Sequence, residues 1–218
     1  MRLIDLSQSL SNGMPVYPGD PAVGIRQALT IAADGVAVAQ LELGSHAGTH
    51  LDAPAHVIPG GRTVDQIPLE LLVGPAAILR VAEPRSKQCV DEAALQDRLP
   101  AELPTIVAVQ TGWDRHYGKA GMLDHPYVAP ELAELLWARG ARVLCVDTLS
   151  PDPSAGSTAG EGAGLPVHEY WLGRDGVVVE NLRVVERVPD RAELSLLPLA
   201  ISGGDGAPVR AIAWSATA

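Results

Sequence analysis

The sequence predicts an α/β fold built on a mixed sheet. Segments of strand character outnumber those of helical character and crowd both ends of the chain, and no regular strand-helix alternation repeats along it, which favours a mixed sheet over a serial βαβ array. At 218 residues, 47% hydrophobic and 19% charged, the chain can bury a sizeable core as one domain spanning 1–218. There is no internal repeat and no clear linker.

The elements follow from short apolar runs and their periods. Strands are expected at residues 2–6 and 25–31, and at 36–43, where the residues alternate with period two. A helix over 64–72 precedes a strand at 76–81, and a helix over 91–99 precedes a strand at 106–110. A third helix, 130–139, leads into a strand at 142–147. Pro166 near the start and Gly173 at the end bracket a short helix over 166–172. Val177-Val178-Val179 is a β-branched run that reads as a buried strand ending on Glu180. Strands at 196–200 and 209–214 close the chain. The stretch 150–164 is rich in Gly, Ala, Ser and Thr; no Gly-Lys-Ser/Thr follows it, so it is a poor phosphate loop. A surface loop is its plain reading, and its place just before His168 makes a lid over a site the sharper one.

The chemistry concentrates between two of these elements. His46-Ala47-Gly48-Thr49-His50-Leu51-Asp52-Ala53-Pro54-Ala55-His56 holds three of the six histidines in the chain. On a helix His46 and His50 would share a face as in HExxH, but Ala47 stands where Glu would be, Gly48 intervenes and Pro54 breaks a helix. In extended chain, His46, His50, Asp52 and His56 share one face and Ala47, Thr49, Leu51, Ala53 and Ala55 the other. Gly48 leaves room beside the flanking imidazoles. Fully extended, the run would span roughly 33–36 Å, too far for one metal centre, so a bend is expected at Gly48 or Pro54. Imidazole with carboxylate suits zinc or manganese at about 2.0–2.2 Å.

The string His-x-Gly-Thr-His-x-Asp-x-Pro-x-His resembles the signature of the cyclase family of metal-dependent hydrolases, which includes bacterial kynurenine formamidase and isatin hydrolase. Met14-Pro15-Val16-Tyr17-Pro18-Gly19-Asp20, Val146-Asp147-Thr148-Leu149-Ser150-Pro151-Asp152, and Leu165-Pro166-Val167-His168 followed by Glu180-Asn181-Leu182 resemble further family segments, in order along nearly the whole chain. The resemblance implies a swivelling β/β/α domain and two divalent ions, zinc or manganese. It implies that His46, His50 and Asp52 bind the first metal, that Asp52 also reaches the second, that His168 belongs to the second, and that Glu180 bridges both. His56 is then the catalytic proton donor and acceptor. Tyr17, on the substrate side, stands where kynurenine formamidases often carry Trp, which leaves substrate identity open. Without the resemblance, His168 reads as a helix-surface or packed residue and Glu180 as a solvated strand end.

The expected reaction is hydrolysis of an aryl or cyclic amide by metal-activated water, with His56 protonating the leaving nitrogen; by resemblance, N-formylkynurenine is the first substrate to consider. No GxSxG elbow is present. An isatin-like lactam or lactone hydrolase, a metal-dependent cyclase or dehydratase, and a non-catalytic metal-binding domain are the alternatives; the last leaves His56 without a purpose. The net charge of −10 argues against nucleic acid as a partner. No apolar stretch reaches the roughly 20 residues of a membrane span, the N-terminus lacks a signal-peptide pattern, and Cys89 and Cys145 stand apart without metal spacing. A cytoplasmic protein with a small-molecule substrate is therefore expected, and by resemblance a homodimer. His116 and His125 read as loop residues facing solvent or making local hydrogen bonds. Trp113, Tyr117 and Tyr127 read as candidates for a planar-ligand pocket, for core packing or for a dimer contact.

Overall fold

In a computed structural model, residues 2–154 and 164–215 are described. Residues 155–163 are not, so the lid expected over 150–164 lies largely outside the described residues. The chain runs through strands β1 (Ile4–Asp5), β2 (Gly24–Leu29), β3 (Val38–Glu42) and β4 (His50–Asp52), with a single helical turn α1 (Ile31–Asp34) between β2 and β3. Strands β5 (Val73–Arg80), β6 (Cys89–Val90), β7 (Ile106–Gln110) and β8 (Tyr127–Val128) lead into helix α2 (Pro130–Ala138). Next come β9 (Val143–Val146), helix α3 (Pro166–Leu172), β10 (Val177–Glu180), β11 (Arg191–Ser195), β12 (Gly206–Pro208) and β13 (Ile212–Ser215).

Nine of these strands form one mixed sheet in the order β1-β13-β11-β5-β7-β9-β10-β4-β12. The central strands β5, β7, β9 and β10 run parallel, and antiparallel strands flank them on both sides. The centre is buried on both faces, which explains continuous runs such as Ile106-Val107-Ala108-Val109 in place of alternation. Ile106, Ala108, Val143, Cys145, Val177 and Val179 face one core with Leu6, Leu51 and Leu194. Val107, Val109, Leu144, Val146 and Val178 face the other, against Leu132 and Leu136 of α2 and Trp171 and Leu172 of α3. The mixed α/β class expected from the sequence is the one observed.

Several boundaries differ from expectation, each for a local reason. The strand expected at 196–200 lies earlier, as β11: Ala192 and Leu194 are buried and alternate with Arg191, Glu193 and Ser195. Pro198 interrupts the apolar run that follows and makes only an isolated bridge to Val209, as proline does at a sheet margin. Residues 209–214 do not form one strand, because β12 and β13 are separate and join different ends of the sheet. Pro68 splits the expected helix 64–72 into two 3-10 turns, Val64–Gln66 and Leu69–Leu71. The expected helix 91–99 is one 3-10 turn, Glu92–Ala94, capped by the Asp91 carboxylate; Leu95 then turns extended and bridges Val81. Strand β2 stops at Leu29 because Thr30 caps α1, accepting from Ala33 N, and Gly35 closes that turn at φ 76°.

Candidate metal centre

Register places the first carboxylate and imidazole together. In the antiparallel pair of β4 and β10, His50 stands opposite Glu180 and Asp52 opposite Val178, and cross-strand partners project to the same face. That face looks toward α3, which supplies His168, whereas Leu51 points into the opposite core. Gly48 at φ 67° and the 3-10 turn Pro54–His56 bend the chain on either side of β4. The bend at both expected places returns His46 and His56 to the strand, so their rings lie 4.0 Å apart between centroids. Gly48 serves this by its backbone, not by clearing space for imidazoles: an added Cβ would meet Leu10 Cδ2 at 3.0 Å and Met14 Cε at 3.2 Å.

Three groups of donors result among the described residues: His46, His56 and Asp205 on the more exposed side, and two buried deeper that share Asp52. Of the deeper two, His46, His50 and Asp52 form one and Asp52, His168 and Glu180 the other, with the candidate donor atoms of each group within 4.8 Å of one another. Asp52 Oδ1 lies 2.6 Å from His46 Nδ1 and 3.3 Å from His50 Nε2, and its Oδ2 lies 3.5 Å from His168 Nε2. Glu180 divides likewise, Oε2 at 3.2 Å from His50 Nε2 and Oε1 at 3.2 Å from His168 Nε2. Asp52 Oδ2 and Glu180 Oε1 are buried without a hydrogen-bond partner among the described residues. Such oxygens are costly to bury, and a cation beside His168 Nε2 would relieve both. The donor set fits divalent metal on that observation.

The charge state agrees. Burial alone would lower the pKa of His50 and His168, but the carboxylates of Asp52 and Glu180, with Asp152 at His168, outweigh it and hold both well above the usual imidazole value. Burial would raise Asp52, but His50, His168 and His46 hold it well below the ordinary carboxylate range. Protons here do what a metal ion would do, neutralising the carboxylates.

Residues beyond the donors orient the rings. His50 Nδ1–H donates to Gly48 O at 2.9 Å, leaving Nε2 as the donor toward Glu180 and Asp52; the Asn181 amide holds the same carbonyl at 3.1 Å. Asp152 accepts from Val167 N at 2.9 Å, His168 N at 3.0 Å and His168 Nδ1 at 2.7 Å, fixing both the start of α3 and the ring that leaves it. Such outer partners set the tautomer of metal-binding histidine. Sequence reading quoted Asp152 and Asn181 only inside matching segments, and it missed Asp205, which takes His46 Nε2–H at 2.9 Å.

His56, at the end of its 3-10 turn, opens on a cavity of about 210 Å³ that also exposes His46, His50, His168 and Glu180. Pro15, Val16, Tyr17, Leu149 and Leu165 give it an apolar wall, with Asp20 beside them. Tyr17 therefore stands on the expected side. Trp113, Tyr117 and Tyr127 do not line this cavity: Trp113 is buried and donates to Gly121 O, and Tyr117 donates to Pro15 O at 3.0 Å. Trp113 and Tyr117 thus serve as packing. His125 differs from expectation: it is buried, and besides the local bond to Pro126 O it reaches Ser154 Oγ, 29 positions on, at 2.6 Å. Cys89 and Cys145 are free thiols.

The chain is similar to known proteins along most of its length. Residues 4–153 match the Cyclase family model, described as "Putative cyclase". The kynurenine formamidase of Geobacillus thermodenitrificans is 34% identical over 211 residues, covering 95% of each chain. That of Salinibacter ruber is 33% identical over 216 residues, 97% of each. Among solved structures, isatin hydrolase A from Ralstonia solanacearum superposes with a TM-score of 0.82 at 26% identity, covering 99% of this chain and 92% of its own.

Proposed function

The chain belongs to the cyclase family, and from that premise we propose that it is a metal-dependent amidohydrolase of arylformamidase type, converting N-formylkynurenine and water to kynurenine and formate. The observation that carries the reading is the pair of buried carboxylates, Asp52 and Glu180, each turning one oxygen to His50 and the other to His168. His46, His50 and Asp52 would hold one divalent ion and His168 the other, with Asp52 and Glu180 shared. Both zinc and manganese accept nitrogen and oxygen donors of this kind. When bound, such ions supply Lewis acidity at a carbonyl and bring the pKa of a water toward neutrality.

The remaining work belongs to the chain. The apolar wall of Pro15, Val16, Tyr17 and Leu149 receives the aryl ring and excludes water from one side of the amide. His56 faces the cavity within 5.8 Å of the His168 ring centroid. In its neutral form it accepts a proton as water adds to the formyl carbon. It then returns that proton to the aryl nitrogen as the carbon–nitrogen bond breaks, leaving formate and a free arylamine.

Turnover by metal-loaded protein of formyl-arylamines, isatin-type lactams and lactones tests the substrate class. Formyl-arylamine hydrolysis should dominate; lactam opening in its place would support the second reading, favoured by the likeness to isatin hydrolase, and hydrolysis of neither would reject both. We also infer that the chain is one domain, since β1 and β13 pair the two ends of the sequence in the main sheet. A homodimer is the assembly we favour, because the hairpin of β2 and β3 and the turn between them leave Leu29, Ile31, Val36, Val38 and Leu41 exposed, apolar surface that a second copy would cover.

A further inference from the structure

One carboxylate at the site lies outside the two groups that share Asp52, in the more exposed group with His46 and His56. Asp205 sits just before β12, and its carbonyl accepts from Ala53 N at 2.9 Å, which fastens it to the residue that follows β4. Its Oδ2 accepts from His46 Nε2 at 2.9 Å, while His46 Nδ1 faces Asp52 Oδ1 at 2.6 Å. A neutral imidazole carries one proton and one lone pair. Whichever nitrogen keeps the proton decides which one can bind a metal.

We propose that Asp205 is a positioning residue that fixes the proton of His46 on Nε2 and so presents Nδ1 as the donor on the side of His50 and Asp52. Gly206 is an independent sign that this edge is built for the ring. A Cβ there would lie 2.7 Å from His46 Cε1 and 3.2 Å from His46 Nδ1, so only glycine lets β12 lie this close to the imidazole. Asp205 thus holds one nitrogen while the bare backbone of Gly206 supports the ring beside the other. The same Oδ2 is 3.7 Å from His56 Nδ1, beyond hydrogen-bond reach, so of the site's imidazoles it holds His46 directly, and the Ser45 side chain donates to the same carboxylate.

The inference rests on the reading of His46 as a metal donor and is independent of the substrate. The test compares zinc affinity of the wild type, Asp205→Ala and Asp205→Asn by competition with a chromophoric chelator. The Asp205 side chain is 46% exposed, so both variants should keep the metal-free melting temperature. Asp205→Ala should weaken zinc binding about 10–100-fold, and Asp205→Asn, whose amide oxygen still accepts the Nε2 proton, should stay near the wild type. Equal affinity in Asp205→Ala and wild type overturns the proposal, as does an equal loss in both variants. Long-range proton–nitrogen NMR of the zinc-loaded wild type should place the His46 proton on Nε2; a proton on Nδ1 overturns it too. Wild-type zinc binding itself reports on the metal centre, and only these contrasts report on Asp205.

Discussion

His50 and His56 lie six residues apart and are assigned opposite duties, a division that single substitutions separate. His50→Ala should lose bound metal and activity together, because Nε2 of His50 faces both Asp52 and Glu180. His56→Ala should retain metal by elemental analysis and lose turnover by about 10²–10⁴-fold, the usual contribution of a general acid or base. Loss of metal from His56→Ala would reverse the assignment. Burial is the largest influence on His56 and pushes its pKa below 6.5, Asp52 offsetting only part of it. Its neutral form is therefore the resting form at pH 7. At saturating metal, kcat/KM should fall only as the pH drops through a value below 6.5, and an acid limb centred above 6.5 would contradict this. His50 and His168 shift the other way, well above 6.5 in the metal-free protein, so metal must displace their protons. Calorimetric titration at pH 7 should show heats that vary with the ionisation enthalpy of the buffer, reporting on the order of two protons released per chain; heats independent of buffer would contradict it. The donors were legible in sequence because His46, His50 and Asp52 crowd one segment. Asp205 was not, because it meets His46 from 159 positions away.

Strand β4 is only three residues long, yet its neighbours on both sides decide where five site residues stand. Runs buried on both faces were read from sequence to the residue, as at β7 and β10, since nothing but a central strand accommodates them. The 3-10 turns and β11 were misread because tertiary contacts override short apolar runs: Leu95 is drawn into a bridge with Val81, and Pro198 ends an otherwise plausible strand. Gly48 is the hinge of the ligand segment. Gly48→Ala would force a Cβ at φ 67° against Leu10 and Met14, and should cost about 1–2 kcal/mol in urea unfolding of the metal-free protein; unchanged stability would place the bend elsewhere. Asp152 joins α3 to the site by three hydrogen bonds. Its replacement by Ala should weaken metal binding about 10–100-fold and lower stability by about 1 kcal/mol, a double loss that a purely structural cap would not produce.

For the molecule as a whole, the sheet brings the ends of the chain together while β2, α1 and β3 stand away from it with little burial. No helix among the described residues is long and apolar enough to cross a membrane. If the projecting arm joins two copies, light scattering should give twice the 22.8 kDa chain mass, and Leu41→Asp should shift the protein toward monomer with its melting curve little changed. The sequence announced this region as alternating strand but not its exposure, because alternation reports a two-faced strand and not what covers either face. The fold delivers imidazoles and carboxylates from β4, β10, α3 and the turns around them to one cavity, and the central claim is that this convergence is a metal-dependent amidase site. The most direct measurement is hydrolysis of N-formylkynurenine by one preparation assayed metal-loaded, chelated and reconstituted, with metal content determined at each stage. The account predicts two ions per chain, formate release lost with the metal, and recovery when zinc or manganese is restored; full activity in metal-free protein would contradict it.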